Sequence, residues 1–211
     1  MENKELQRFW DWFNSKAELL MDIDNIDAFE ADDLLVDFDK RLKEYSEGIS
    51  FELSDLSEKG REIVFSAEGD EDYFDDVIEL CENAPDLDFW EFIPFKQAKG
   101  GNVKIKFENY SYHSKKLWFL PLENEEFTDS IGIMVGVNDF KEGDEDQEIA
   151  VYTLIESMVG EYYCTTLIQY FEVCQLPENP EEEGFVNLES LPDFVEWFIN
   201  NSEKEDQDKI E

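Results

Sequence analysis

The residues with chemical potential in this sequence are carboxylates above all. Fifty-five Asp and Glu stand against 17 Lys and Arg, three Cys and a single histidine. Carboxylates can ligate hard cations, work in pairs as general acid and base, or serve as fixed charge for docking. Two clusters invite the first reading: Asp22, Asp24 and Asp27, and Asp144, Asp146 and Glu148. A calcium-binding EF-hand loop places a glycine at its sixth position and a bidentate Glu at its twelfth. Counted from Asp144 those positions are Ile149 and Ile155, and counted from Asp22 they are Asp27 and Asp33. Neither cluster has the loop, so no dedicated metal site and no cofactor is expected.

His113 stands alone, which excludes multi-histidine zinc sites and two-histidine iron sites. Its setting, Tyr110-Ser-Tyr-His-Ser-Lys115, lacks the glycines of a nucleophile turn and reads as a strand or turn. Cys81, Cys164 and Cys174 have no CxxC spacing and form an odd set. They are expected to be reduced structural thiols, with Cys164 and Cys174 sharing a face if one strand carries both. Gly100-Gly101 lacks both phosphate-loop patterns and reads as a hairpin turn between two strands, flanked by Lys99 and Lys104, where an anion could dock. The most distinctive segment is Met158-Val-Gly-Glu-Tyr-Tyr-Cys-Thr-Thr-Leu-Ile168. Glu161 follows a helix-ending glycine and is expected to open a strand with Tyr162, placed for a structural role, to bind a cation, or to accept hydrogen bonds from a neighbouring loop.

The charge is unevenly spread. Residues 1–48 carry 14 acids and 6 bases, 49–91 carry 15 and 2, 92–122 carry 1 and 6, and 123–211 carry 25 and 3. A basic island of Lys96, Lys99, Lys104, Lys106, Lys115 and Lys116 therefore interrupts an acidic chain of net charge -38. Alternation puts Lys104 and Lys106 on one face of a strand, opposite Val103, Ile105 and Phe107. That makes the lysine pair a candidate interaction site. Overall the charge opposes direct nucleic-acid binding and anionic membranes, and it favours basic protein partners.

The elements that must position these groups follow from periodicity. Hydrophobic residues at 42% and aromatics at 15% exclude a disordered acidic chain. Leu6, Phe9, Trp10, Phe13, Ala17 and Leu20 make one helical stripe. After a break at Asp24-Asn25, Asp27 and Glu30 have capping-box spacing ahead of Phe38, Leu42 and Tyr45. Residues 49–53 and 62–67 read as strands, Tyr73 to Cys81 as a helix, and 89–95 as a strand whose Pro94 suggests an edge or bulge. Residues 103–107, 117–122 and 131–137 also read as strands. A helix follows the acidic loop 142–148 and ends at Gly160, and Tyr162 to Val173 reads as a long strand. A last helix is expected with Ser190 as its N-cap. The expectation is one α+β domain over 1–201, with helices on one face of a largely antiparallel sheet, an N-terminal helix pair, and two strand-strand-helix-strand halves. Residues 202–211 would form a flexible acidic tail.

A resemblance rests on three motifs in one order. Ser66-Ala-Glu-Gly69, Ala84-Pro-Asp-Leu87 followed by Trp90, Phe92 and Phe95, and Gly160-Glu-Tyr162 with Thr166 and Ile168 together resemble an uncharacterised bacterial family of single-domain cytoplasmic proteins. The resemblance covers roughly residues 5 to 175 and implies a bacterial, cytoplasmic setting but no activity. The charged start, Met1 to Trp10, lacks the apolar run of a signal peptide.

The expected function is a non-enzymatic interaction protein that docks a basic protein through its acidic surface, as immunity proteins do. Aromatics near Trp10, Trp12 and Trp197 are candidate anchors. The alternatives are a nucleic-acid mimic, and a carboxylate-based enzyme or cation-binding protein.

Overall fold

A computed structural model describes residues 4–122 and 129–208, with side chains as far as residue 201. The chain is α+β. It divides into two compact units, Met1–Lys96 and Gln97–Glu211, each with its own apolar core. The sequence pattern predicts one domain over 1–201 built on one sheet. Among the described residues the strands instead form three sheets, in which four of the six strand pairings are antiparallel.

The first unit opens with α1 (Lys4–Met21) and α2 (Ala28–Tyr45), joined by a 3-10 turn over Ile23–Asn25. All six residues of the α1 stripe are buried, because a 3.6-residue period lines them along one side. Their aromatic rings meet edge-on. Phe38 lies 5.5 Å from Phe9 and 6.0 Å from Phe13, and Trp10 lies 4.8 Å from Phe92. Such pairs add roughly 0.5–1.5 kcal/mol each beyond the area they bury. Asp27 caps α2 by accepting from the Phe29 amide, a one-sided cap rather than the reciprocal box its spacing suggested.

β1 (Ser50–Leu53), β2 (Arg61–Ser66), α3 (Phe74–Glu82) and β3 (Trp90–Pro94) complete this unit. β2 is central, antiparallel to β1 and parallel to β3, so α3 is the crossover between parallel strands. Pro94 sits on an edge strand, where its missing amide costs no ladder bond. Arg61 is only 2% exposed. Its guanidinium donates to the carbonyls of Met21 (3.0 Å) and Ser54 (2.6 Å) and pairs with Asp24. An acid from the first suspected cation cluster thus serves as counterion to a buried arginine.

The second unit contains β4 (Lys104–Phe107), β5 (Tyr110–His113), β6 (Trp118–Leu122), β7 (Ile131–Val137), α4 (Glu145–Val159), α5 (Glu161–Leu167), β8 (Ile168–Gln175), β9 (Val186–Asn187) and α6 (Leu191–Asp208). β4 and β5 form a hairpin of their own, and the larger sheet runs β8-β7-β6-β9. β7 is antiparallel to β6 and parallel to β8. Both units therefore repeat one order: an antiparallel pair, a crossover segment, and a strand parallel to the centre.

Several local expectations change. Tyr162 to Leu167 is helix, not strand, and β8 starts only at Ile168. Gly160 makes the junction: its φ of 84° and ψ of 153° belong to glycine, its amide closes α4 on Glu156, and its carbonyl accepts the Cys164 amide to start α5. Burial of Glu161 and Cys164 overrides the strand preference of Tyr-Tyr-Cys-Thr-Thr. Cys164 and Cys174 consequently lie on different elements and do not share a strand face; all three cysteines are free thiols.

Gly100-Gly101 is no hairpin turn, since β3 and β4 do not pair. The amides of Lys99 and Gly100 instead cap the Ser157 and Met158 carbonyls at the end of α4. Before α6 a 3-10 turn intervenes, capped by Asn187 rather than Ser190. α6 runs to Asp208, well into the expected tail, and residues 209–211 lie outside the described residues. Among the described residues no helix is long and apolar enough to cross a membrane.

Candidate functional site

Glu161 occupies the first turn of α5 and is 0% exposed. It is a buried carboxylate at a helix N-terminus, where the backbone dipole favours negative charge. Tyr162 beside it is exposed and packs edge-on against Tyr163. The two residues face opposite environments and do not make one site. Of the aromatic anchors, Trp10 belongs to the core, and Trp12 donates to Asp37 across the helix pair. Trp197 is 59% exposed on α6.

Lys104 and Lys106 lie on the outer face of β4, while Ile105 and Phe107 pack inward, as alternation required. Across the hairpin they oppose His113 and Ser111. His113 lies below its ordinary pKa: partial burial is the main cause, and the charges of Lys104, Lys115 and Lys116 add to it. Lys115 pairs with Glu189 at 3.5 Å; Lys104, Lys106 and Lys116 form no ion pair among the described residues.

Two polar clusters stand where the chain leaves a central strand for its crossover helix, the usual place for sites in parallel sheets. Beyond β7, Lys141 Nζ donates to Tyr110 Oη (2.7 Å), which donates to Asp144 Oδ2 (2.6 Å). Gln147 Nε2 donates to Tyr112 Oη (2.7 Å) and to the Asp139 carbonyl (3.0 Å). Asp144 also caps α4 by accepting from the Gln147 amide. The Asp144 hydrogen bond raises the Tyr110 pKa, and the Tyr110 hydroxyl in turn lowers that of Asp144. The cluster ties the loop between β7 and α4 to the hairpin strand β5.

Beyond β2, Glu68 accepts from Lys96 Nζ and Ser50 Oγ. Burial alone would raise the Glu68 pKa, but these two donors outweigh it and lower it. Glu68 also has a positive φ of 53°, unusual for its type. Sequence reasoning missed both clusters, because the residues they join across elements lie 18 to 35 apart and spacing carries no signal over such intervals.

It also missed a groove in the first unit. A cavity of about 550 Å³ lies against Ala17 and Met21 of α1, Leu56 and Gly60, and Leu87 to Trp90. Its charged lining residues are Glu18, Glu58 and Asp88, and no Lys or Arg lines it. Leu56 is 50% and Phe89 67% exposed. Phe89, expected as the first residue of a strand, stands just before β3 with a φ of 67°, a rare state for a bulky residue. Gly60 makes this geometry fit, since a Cβ there would sit 1.9 Å from the Phe89 carbonyl oxygen. The Arg61 amide holds that carbonyl at 2.9 Å. The backbone is thus held in an uncommon conformation that presents an aromatic ring beside three carboxylates.

No family model, curated protein or solved structure matches the chain. Among the described residues no group of three His, Cys, Asp or Glu side chains is arranged to hold a metal ion.

Proposed function

We propose that this chain is a non-enzymatic interaction protein that docks a basic partner protein through the groove of its first unit. The observation that carries the reading is the groove's composition: a largely apolar floor whose charged lining residues, among the described residues, are Glu18, Glu58 and Asp88. An arginine or lysine of the partner suits such a surface. Its aliphatic stem packs on Leu87 and Phe89, its head reaches the carboxylates, and the Trp90 ring adds a cation–π contact of roughly 0.5–2 kcal/mol. The net charge of -38 raises the rate of encounter with a basic surface and makes it salt-sensitive. Three free thiols support a reducing, cytoplasmic setting.

A tetra-arginine peptide is the probe. Glu58→Gln with Asp88→Asn should weaken its binding by about tenfold or more, while Asp32→Asn with Asp39→Asn, two exposed acids on α2, changes the charge equally and should weaken it far less. Equal losses from the two pairs would reduce the interaction to general attraction and overturn the reading.

A further inference from the structure

The hairpin of the second unit carries a face of opposite sign to the rest of the molecule. β4 pairs on one side only, with β5. The register sets which backbone groups are used. The Ser114 amide donates to Val103, and the pairs Ile105–Tyr112 and Phe107–Tyr110 follow at steps of two. In an antiparallel ladder hydrogen-bonded pairs alternate with non-bonded ones. Lys104 and Lys106 are the non-bonded residues, so their N–H and C=O groups point away from β5 along the outer edge. No other hydrogen bond to those groups forms among the described residues. The same two residues carry exposed lysine side chains with no ion pair, and His113, across from Lys104, lies close to the charges of Lys115 and Lys116.

We infer that the outer edge of β4 takes an added strand: an extended segment of a partner protein with acidic and apolar residues in alternation. Edge addition satisfies the free amides and carbonyls, and side-chain alternation supplies selectivity. Carboxylates on the added strand fall opposite Lys104 and Lys106, within about 5 Å between Cβ atoms. Apolar residues on its other face continue the layer of Ile105 and Phe107. A second copy of β4 is the poorer occupant, because antiparallel self-pairing would bring four lysines together, and like charges across a ladder repel. This surface lies in the second unit and has the opposite charge preference to the groove, so either assignment can fail alone.

The test uses the full chain and a synthetic eight-residue peptide alternating Glu and Val. Binding should slow hydrogen exchange at the Lys104 and Lys106 amides by about tenfold or more. Lys104→Glu with Lys106→Glu should abolish binding while leaving the circular dichroism spectrum unchanged. N-methylation of the peptide's alternate amides should also abolish it, because the ladder then cannot form. The inference is overturned by absence of binding, by binding that leaves both amides unprotected, or by binding that survives N-methylation.

Discussion

At the scale of single residues, Arg61 decides how the first unit is closed. Its three partners come from the end of α1, the 3-10 turn and the segment after β1. Removing the guanidinium takes a donor from both carbonyls and leaves Asp24 without its partner. Arg61→Met should therefore cost about 3 kcal/mol, read as a lower urea midpoint with an unchanged slope. Titration follows the same local logic. Asp144 and Glu68 bind protons more weakly folded than unfolded. Their contribution is complete above the ordinary carboxylate pKa of about 4 and is lost as pH falls through the depressed folded values. Asp144→Asn and Glu68→Gln should flatten the acid limb of a stability–pH curve. Tyr112 behaves in the opposite sense: burial pushes its pKa up to about 12. Its contribution holds below about pH 10 and fades as pH rises toward 12. Burial likewise pushes the Cys164 thiol up to about 12, so Cys164 should resist alkylation at pH 8 until the chain is unfolded.

At the scale of elements, what was legible depended on how local the deciding interaction is. The α1 stripe could be read because six apolar residues on one face outweigh every alternative. The parity of Lys104 and Lys106 could be read because a strand alternates by geometry. The segment after Gly160 could not: its residues favour strand individually, and the burial that makes α5 depends on packing within the second unit. Gly100-Gly101 has turn composition, yet the amides of Lys99 and Gly100 are used on a helix end more than 50 residues away. The groove was hidden for a related reason, since a left-handed phenylalanine is visible only once Gly60 is beside it. Gly160→Ala tests the α4–α5 junction. A Cβ at that backbone conformation should cost on the order of 1–3 kcal/mol, measured by thermal unfolding.

At the scale of the whole molecule, the net charge of -38 is a standing self-repulsion. The Debye length falls from about 30 Å at 0.01 M salt to about 8 Å at 0.15 M. The melting temperature should rise over that range, and a fall would mean that favourable ion pairs outweigh repulsion. The two units also share a topology with a kinetic consequence. Ile63 pairs with Phe92, and Ile133 with Phe171, so each central strand waits for a partner 29 or 38 residues further along. Neither parallel ladder can begin until the intervening chain has closed a long loop, and contacts of this separation form more slowly than local ones. The speed at which the protein matures is thus governed by the return of its crossovers, and substitutions that stiffen α3 or α4 should act by quickening folding more than by slowing unfolding.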